Sequence, residues 1–133
     1  MMLVENRVAT SAIHGMGLFA NTFVAKGTPI WRFEPGFDQS FPPRTVQELP
    51  PVAQAHARHF CFISKTDGHS ILSGDHACFI NHSGDPNTGG PPGVDRPEAT
   101  VALRDIAAGE EITCDYYAYD AETPWKLGLS AGG

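Results

Sequence analysis

Short apolar runs, each ended by a turn signal, recur along the 133-residue chain. Runs of this length between Gly, Pro, Asn and Asp are typical of β-strands. They cover about residues 2–10, 18–20, 28–33, 70–72, 99–103 and 112–117. A further run leads into Asn81-His82 and predicts a strand that ends at this polar pair. The pattern as a whole predicts a mainly β protein.

The segment between residues 38 and 70 has a different pattern. Proline pairs divide it, and residues 52–60 follow the second pair, Pro50-Pro51. Proline suits the first turn of a helix, and alanines favour its interior, so we expect a helix over residues 52–60. Its histidines, His56 and His59, are expected to face solvent.

Composition favours many short elements joined by tight turns, because the chain contains 14 glycines and 11 prolines. A length of 133 residues suits a single domain. The sequence shows neither a signal-peptide pattern nor a run of 18 apolar residues, which predicts a soluble intracellular protein.

Charge and cysteine usage narrow the function classes. The net charge is −6 and the nine basic residues form no run, which argues against direct nucleic-acid binding and favours a basic protein partner. Cys61, Cys78 and Cys114 are odd in number and far apart, which indicates a reducing compartment and not a disulfide framework. They lack paired ligand spacing, so we expect no metal site.

Three segments contain candidate chemistry, and each has two interpretations. Gly15 and Gly17 form either a bulge or a close approach to a ligand, without the third glycine of a dinucleotide motif. Asn81-His82 is either a polar strand end or a pair facing a cavity. The tyrosine cluster that begins at Tyr116 is either core or catalytic.

Taken together, these segments resemble the SET-domain family of S-adenosylmethionine-dependent protein lysine methyltransferases. Residues 11–20 resemble its Gly-x-Gly segment, residues 79–87 its Asn-His motif, and residues 109–116 its C-terminal tyrosine motif, in the family's order. The resemblance covers about residues 8–120. It implies a mainly β fold of several small sheets with a C-terminal pseudoknot and a short helical insert.

Domain limits follow from the same resemblance. It implies one SET domain over residues 1–133, with its core at about 8–120. The variable insert at about 38–70 helps to form the substrate groove, and a short tail covers 121–133.

The resemblance also implies roles for individual residues. Tyr116 is expected to be catalytic, and the protein is expected to bind a substrate lysine in a histone or another basic protein. S-adenosylmethionine is expected to contact six residues: His14, Gly15, Met16, Gly17, Asn81 and His82. The substrate channel is expected to include Cys114, Tyr119 and Trp125.

Some positions depart from the family pattern. Gly84 stands where zinc-containing relatives often have cysteine, and the tail lacks the Cys-x-Cys-x₄-Cys cluster of a post-SET zinc module. We expect either that Trp125 provides the missing cover or that the tail is disordered. Pairing with a second copy of the chain would also complete the pocket. Cys114 occupies a position that influences the number of methyl groups added in some relatives.

The implied reaction suits these residue types. Transfer of a methyl group from a sulfonium to an amine needs alignment and exclusion of water, not a covalent nucleophile. A lysine with a pKa of about 10.4 must first lose its proton. Two alternatives remain: a non-catalytic module that binds S-adenosylmethionine or a peptide, and a hydrolase that uses Cys78 or Cys114 with a histidine.

Overall fold

The structure, a computed structural model, describes residues 1–93, 99–118 and 120–128. Its strands are β1 (Asn6–Thr10), β2 (Met16–Ala20), β3 (Pro29–Arg32), β4 (Gln39–Phe41), β5 (Phe62–Ile63), β6 (Ser70–Leu72), β7 (Asn81–His82), β8 (Thr88–Gly89), β9 (Ala99–Ala102) and β10 (Glu111–Cys114). Its helices are α1 (Pro43–Gln47), α2 (Pro51–Phe60) and α3 (Thr123–Lys126). The expectation of a mainly β fold built from several small sheets is confirmed.

The sheet that joins the three sequence motifs has the strand order β1-β2-β10-β7. β1 and β2 form an antiparallel hairpin, and β10 pairs antiparallel with β2 on one side. On its other side β10 runs parallel to β7, with Thr113 opposite Asn81. The C-terminal strand therefore lies between the strands of the first two motifs, in keeping with the expected pseudoknot.

The core lies where this sheet packs against a second sheet of order β3-β9-β8. Burial of each large aliphatic side chain contributes about 1.5–3 kcal/mol to stability. Seven residues form the central cluster: Leu18, Ala20, Val24, Ile30, Ala102, Ile106 and Ile112. Strands of the two sheets thus alternate along the chain, and both sheets contribute residues to one cluster.

The insert forms a third sheet, of order β4-β6-β5, with α1 and α2 beside it. The helix predicted over residues 52–60 is confirmed as α2, with Pro51 in its first turn. Phe60 at its end packs edge-to-face on Phe79, the first residue of the central motif, with ring centroids 5.9 Å apart. His56 and His59 are exposed, as expected.

Two strand predictions are wrong at the motifs themselves. The residues before Asn81 form a 3₁₀ helix, His76–Phe79, because the Asp75 carboxylate accepts a hydrogen bond from the Ala77 amide at 3.1 Å. The last strand ends at Cys114, where Asp115 Oδ1 accepts from the Tyr117 amide at 3.0 Å and starts a second 3₁₀ helix, Tyr116–Ala118. Local capping by aspartate outweighs the apolar pattern at both places.

The C-terminal tail packs on the insert. Lys126 Nζ donates hydrogen bonds to Asp120 Oδ2 at 2.6 Å and to the Cys61 carbonyl at 2.5 Å. The Ala121 amide bonds to the Ile63 carbonyl at 3.0 Å. No helix among the described residues is long and apolar enough to cross a membrane.

Candidate active site

The loop between β1 and β2 contains the first group of predicted cofactor residues. The Ser11 amide donates to the Gly15 carbonyl at 2.8 Å and closes the loop. Gly15 has φ = +46°, a left-handed conformation that favours glycine. The side chains of His14 and Met16 are exposed. The loop therefore presents backbone and two side chains to solvent.

Asn81 holds this loop from the central motif. It is buried, and its Nδ2 donates to the carbonyls of His14 and Met16, both at 3.1 Å, and to Glu111 Oε2 at 2.9 Å. Three acceptors for two N–H groups mean that at least one hydrogen is shared. The Nδ2 group of Asn81 thus bonds other groups of the protein, and these bonds shape the loop.

His82 connects the central motif to the tyrosine motif. Its Nδ1 accepts a hydrogen bond from the Tyr116 amide at 3.1 Å. The Asp115 carboxylate lies 3.7 Å from the same nitrogen and is a weaker contact. The imidazole lies beside Tyr116 and Tyr117, with ring centroids at 5.4 and 5.6 Å.

Tyr116 lies at the meeting point of the two motifs. Its hydroxyl donates to the Ile80 carbonyl at 2.6 Å. Burial is the main reason why the pKa of this hydroxyl is strongly raised, and nearby anionic groups add to it. The side chain is therefore a neutral hydrogen-bonding group at physiological pH, not a phenolate base.

A cleft of about 760 Å³ opens beside Tyr116. Ile80, Cys114 and Tyr116 contribute to its wall from the core of the fold. The insert contributes His59, Phe60 and Phe62, so one part of the wall is aromatic, while serine, threonine and charged side chains make other parts polar. Such a cleft can hold an extended apolar chain and limit the access of water.

The three predicted channel residues have different places. Cys114 is buried and lines this cleft. Trp125 lines a second groove of about 730 Å³ between α1, α2 and α3, where the Arg58 guanidinium lies 4.0 Å from its ring centroid. Tyr119 lies outside the described residues.

Sequence reasoning missed Glu111, Asp120 and Lys126. Asp120 is almost fully buried, bonds the Tyr116 carbonyl through its amide at 2.9 Å, and pairs with Lys126 on the wall of the cleft. Each is a single charged residue without a spacing pattern. The one available signal was the acidic pair Glu110-Glu111 directly before an apolar strand.

The cysteines do not suit nucleophilic or metal chemistry in this arrangement. Burial raises the pKa of the Cys61 and Cys78 thiols, which keeps them protonated and poorly nucleophilic. Within the described part of the chain, no three or more His, Cys, Asp or Glu side chains are grouped as metal ligands. The raised pKa argues against Cys78 as the nucleophile of a hydrolase.

Comparison with known proteins agrees with the arrangement of the motifs. The family model described as "SET domain" matches residues 15–117. The boundaries predicted for the core, insert and tail stay predictions. A search of curated protein sequences found no significant match.

Two solved structures share the fold. A candidate histone methyltransferase of Plasmodium falciparum aligns with a TM-score of 0.56 and 18% identity, over 86% of this chain and 95% of that one. A humanized mutant of the Chaetomium thermophilum Polycomb Repressive Complex 2, bound to the inhibitor GSK126, aligns with a TM-score of 0.61 and 24% identity. That alignment covers 92% of this chain and 16% of the other. Since the family model spans most of the sequence and methyltransferase structures share its fold, the chain belongs to the SET-domain family.

Proposed function

We propose that this protein is an S-adenosylmethionine-dependent methyltransferase that modifies lysine side chains of a protein substrate. The observation that carries the proposal is the convergence of three distant segments. Asn81 bonds the loop of His14 and Met16, while Tyr116 bonds Ile80 beside the aromatic cleft. We assign the side of the loop, here the donor face, to a methyl donor and the side of the cleft, here the acceptor face, to an acceptor.

The residues on the donor face fit S-adenosylmethionine. Placing a Cβ on Gly15 would meet no atom within 4 Å, so the loop backbone stands open to a ligand. His14 and Met16 would offer an aromatic and an apolar surface, and His82 would contribute its backbone. When bound, S-adenosylmethionine supplies an electrophilic methyl group on a positively charged sulfur.

The acceptor face suits a lysine side chain. The aromatic wall of the cleft would contact its methylene groups and disfavour the charged ammonium, which lowers the pKa of the amine. The Tyr116 hydroxyl, fixed by Ile80 and kept neutral, would orient the amine through its oxygen lone pairs. The protein would therefore act by alignment and exclusion of water.

Partner and location follow from charge and composition. A net charge of −6 suits a basic substrate such as a histone, and one structure that shares the fold is described as a candidate histone methyltransferase. Direct nucleic-acid binding is not part of the proposal, and a homodimer stays an open expectation. The thiols of Cys61 and Cys78 suit the reducing interior of a cell.

The direct test is incubation with labelled S-adenosylmethionine and a panel of lysine-containing proteins that includes histones. Label in lysine, lost in Tyr116→Phe, supports the proposal. Binding of S-adenosylmethionine without transfer to any protein in the panel supports the alternative, a non-catalytic binding module. Absence of both binding and transfer would contradict the proposal in either form.

A further inference from the structure

The carboxylate of Glu111 lies at the centre of the hydrogen bonds that shape the loop of residues 11–17, here called the glycine loop. Its two oxygens lie 2.7 and 2.9 Å from Ser11 Oγ, and Oε2 also accepts from Asn81 Nδ2 at 2.9 Å. Ser11 Oγ in turn accepts from the Ile13 amide at 2.9 Å. One carboxylate from β10 thus holds both the start of the loop and the side chain that bonds its end.

Gly17 gives independent evidence that space is reserved for this carboxylate. Its φ is not in the left-handed region, so its backbone does not require glycine. A Cβ at Gly17 would lie 2.5 Å from Glu111 Oε2 and 2.9 Å from its carboxyl carbon, closer than real contacts allow. The two glycines of the motif therefore serve different purposes: Gly15 allows the turn, and Gly17 admits Glu111.

We propose that Glu111 is a positioning residue that fixes the glycine loop in its binding shape. The expected effect on cofactor affinity rests on the proposed function. The positioning of the loop by Glu111 does not. A carboxylate accepts only, and here it faces the hydroxyl of Ser11 and the amide of Asn81. A glutamine at 111 would replace one of the two accepting oxygens by an N–H₂ group, which cannot accept from Ser11 or Asn81, and the loop would lose part of its preorganisation.

The first experiment measures amide hydrogen exchange in the free protein, comparing Glu111→Gln with wild type. We expect exchange at Ile13 and other loop amides to become about 10-fold faster, while exchange at the core amide of Ile112 changes little. Glu5→Gln is the matched control, since it removes the same charge from an exposed site and should leave the loop unchanged. Equal acceleration in loop and core, or none in the loop, would overturn the positioning role.

The second experiment separates binding from chemistry. Glu111→Gln should raise the Kd and KM for S-adenosylmethionine about 10-fold and leave kcat at saturating cofactor within about twofold. A merely structural loss would lower the active fraction and leave the KM unchanged. If wild type binds and the KM of the variant is normal, the link between loop shape and cofactor is refuted.

A double-mutant cycle tests the contact between Gly17 and Glu111. Gly17→Ala alone should accelerate loop exchange, because its methyl group displaces the carboxylate. In a Glu111→Ala background only the 3.0 Å approach of the methyl group to Ser11 Cβ remains, so its effect should be several-fold smaller. Strictly additive effects would show that the glycine at position 17 is not needed to make space for the Glu111 carboxylate. If wild type binds no S-adenosylmethionine, the proposed function fails, yet the exchange data still decide the positioning role.

Discussion

The hydroxyl of Tyr116 donates a 2.6 Å hydrogen bond to the carbonyl of Ile80, the residue directly before Asn81. This bond joins two segments that lie 36 positions apart in sequence, and it brings the tyrosine motif to the edge of the Asn-His motif. A group held so firmly has a fixed direction, which is what alignment of an amine requires.

The substitution Tyr116→Phe tests whether this fixed hydroxyl is needed for methyl transfer. Phenylalanine keeps the ring but loses the hydroxyl, so single-turnover methyl transfer to a lysine peptide should fall on the order of 100-fold. Affinity for S-adenosylmethionine should change little, since the loss falls on the transition state.

Tyr117→Phe is the control for this experiment. Alternation in a strand over residues 112–117 would place Tyr117 on the face opposite Tyr116, but residues 116–118 form a 3₁₀ helix and the Tyr117 ring also contacts His82. It is nearly half exposed, and its hydroxyl is expected to matter little. A Tyr116→Phe protein as fast as wild type would remove Tyr116 from the chemistry.

Because the pKa of Tyr116 is raised, its hydroxyl should not ionise during an alkaline titration of the protein. Tyrosine in an unfolded chain ionises near pH 10, while burial keeps the Tyr116 hydroxyl protonated well above that. Ultraviolet absorbance of tyrosinate between about pH 9 and 11 should therefore be the same in wild type and Tyr116→Phe. Since a raised pKa stabilises the protonated native form, this contribution is complete below about pH 10 and is lost as the pH rises further.

Asn81→Ala should weaken binding of S-adenosylmethionine by about 1–3 kcal/mol, as measured by calorimetry. The substitution removes the donor shared by the carbonyls of His14 and Met16, so the glycine loop loses its link to β7. Asn21→Ala is the control, because Asn21 is exposed and bonds the Asn6 carbonyl away from this loop. Unchanged affinity in Asn81→Ala would contradict the assignment.

Asn87→Ala should destabilise the fold by about 3 kcal/mol in denaturant unfolding. The side chain is almost fully buried, donates to Glu110 and to the Glu111 carbonyl, and accepts from the Thr113 amide at 2.8 Å. Its loss leaves these groups without a partner beside β10. Asp85→Ala, with a side chain 97% exposed, should change stability by less than about 0.5 kcal/mol.

Elemental analysis of the purified protein should find no stoichiometric zinc. Cys61, Cys78 and Cys114 lack paired ligand spacing in the sequence. Finding one zinc per chain would contradict this prediction, and substitution of each cysteine in turn would then identify the ligands.

The sequence by itself determined the motifs and most of the elements. The apolar runs located β6 and α2 and most of the longer strands, because their patterns and flanking prolines are local properties of the chain. The family resemblance came from residue identity and order, and it supplied the fold and the list of candidate site residues. Neither source of information includes three-dimensional distance.

Tertiary structure decided which of these residues meet. The 3₁₀ helices at His76–Phe79 and Tyr116–Ala118 are an exception, because they depend on local aspartate caps that an apolar pattern does not reveal. Glu111 gained its role only when β10 came to lie between β2 and β7, which brought its carboxylate to Ser11, 100 positions away. Such contacts carry no periodic signal, because a hydrogen bond depends on position in space and not on spacing along the chain.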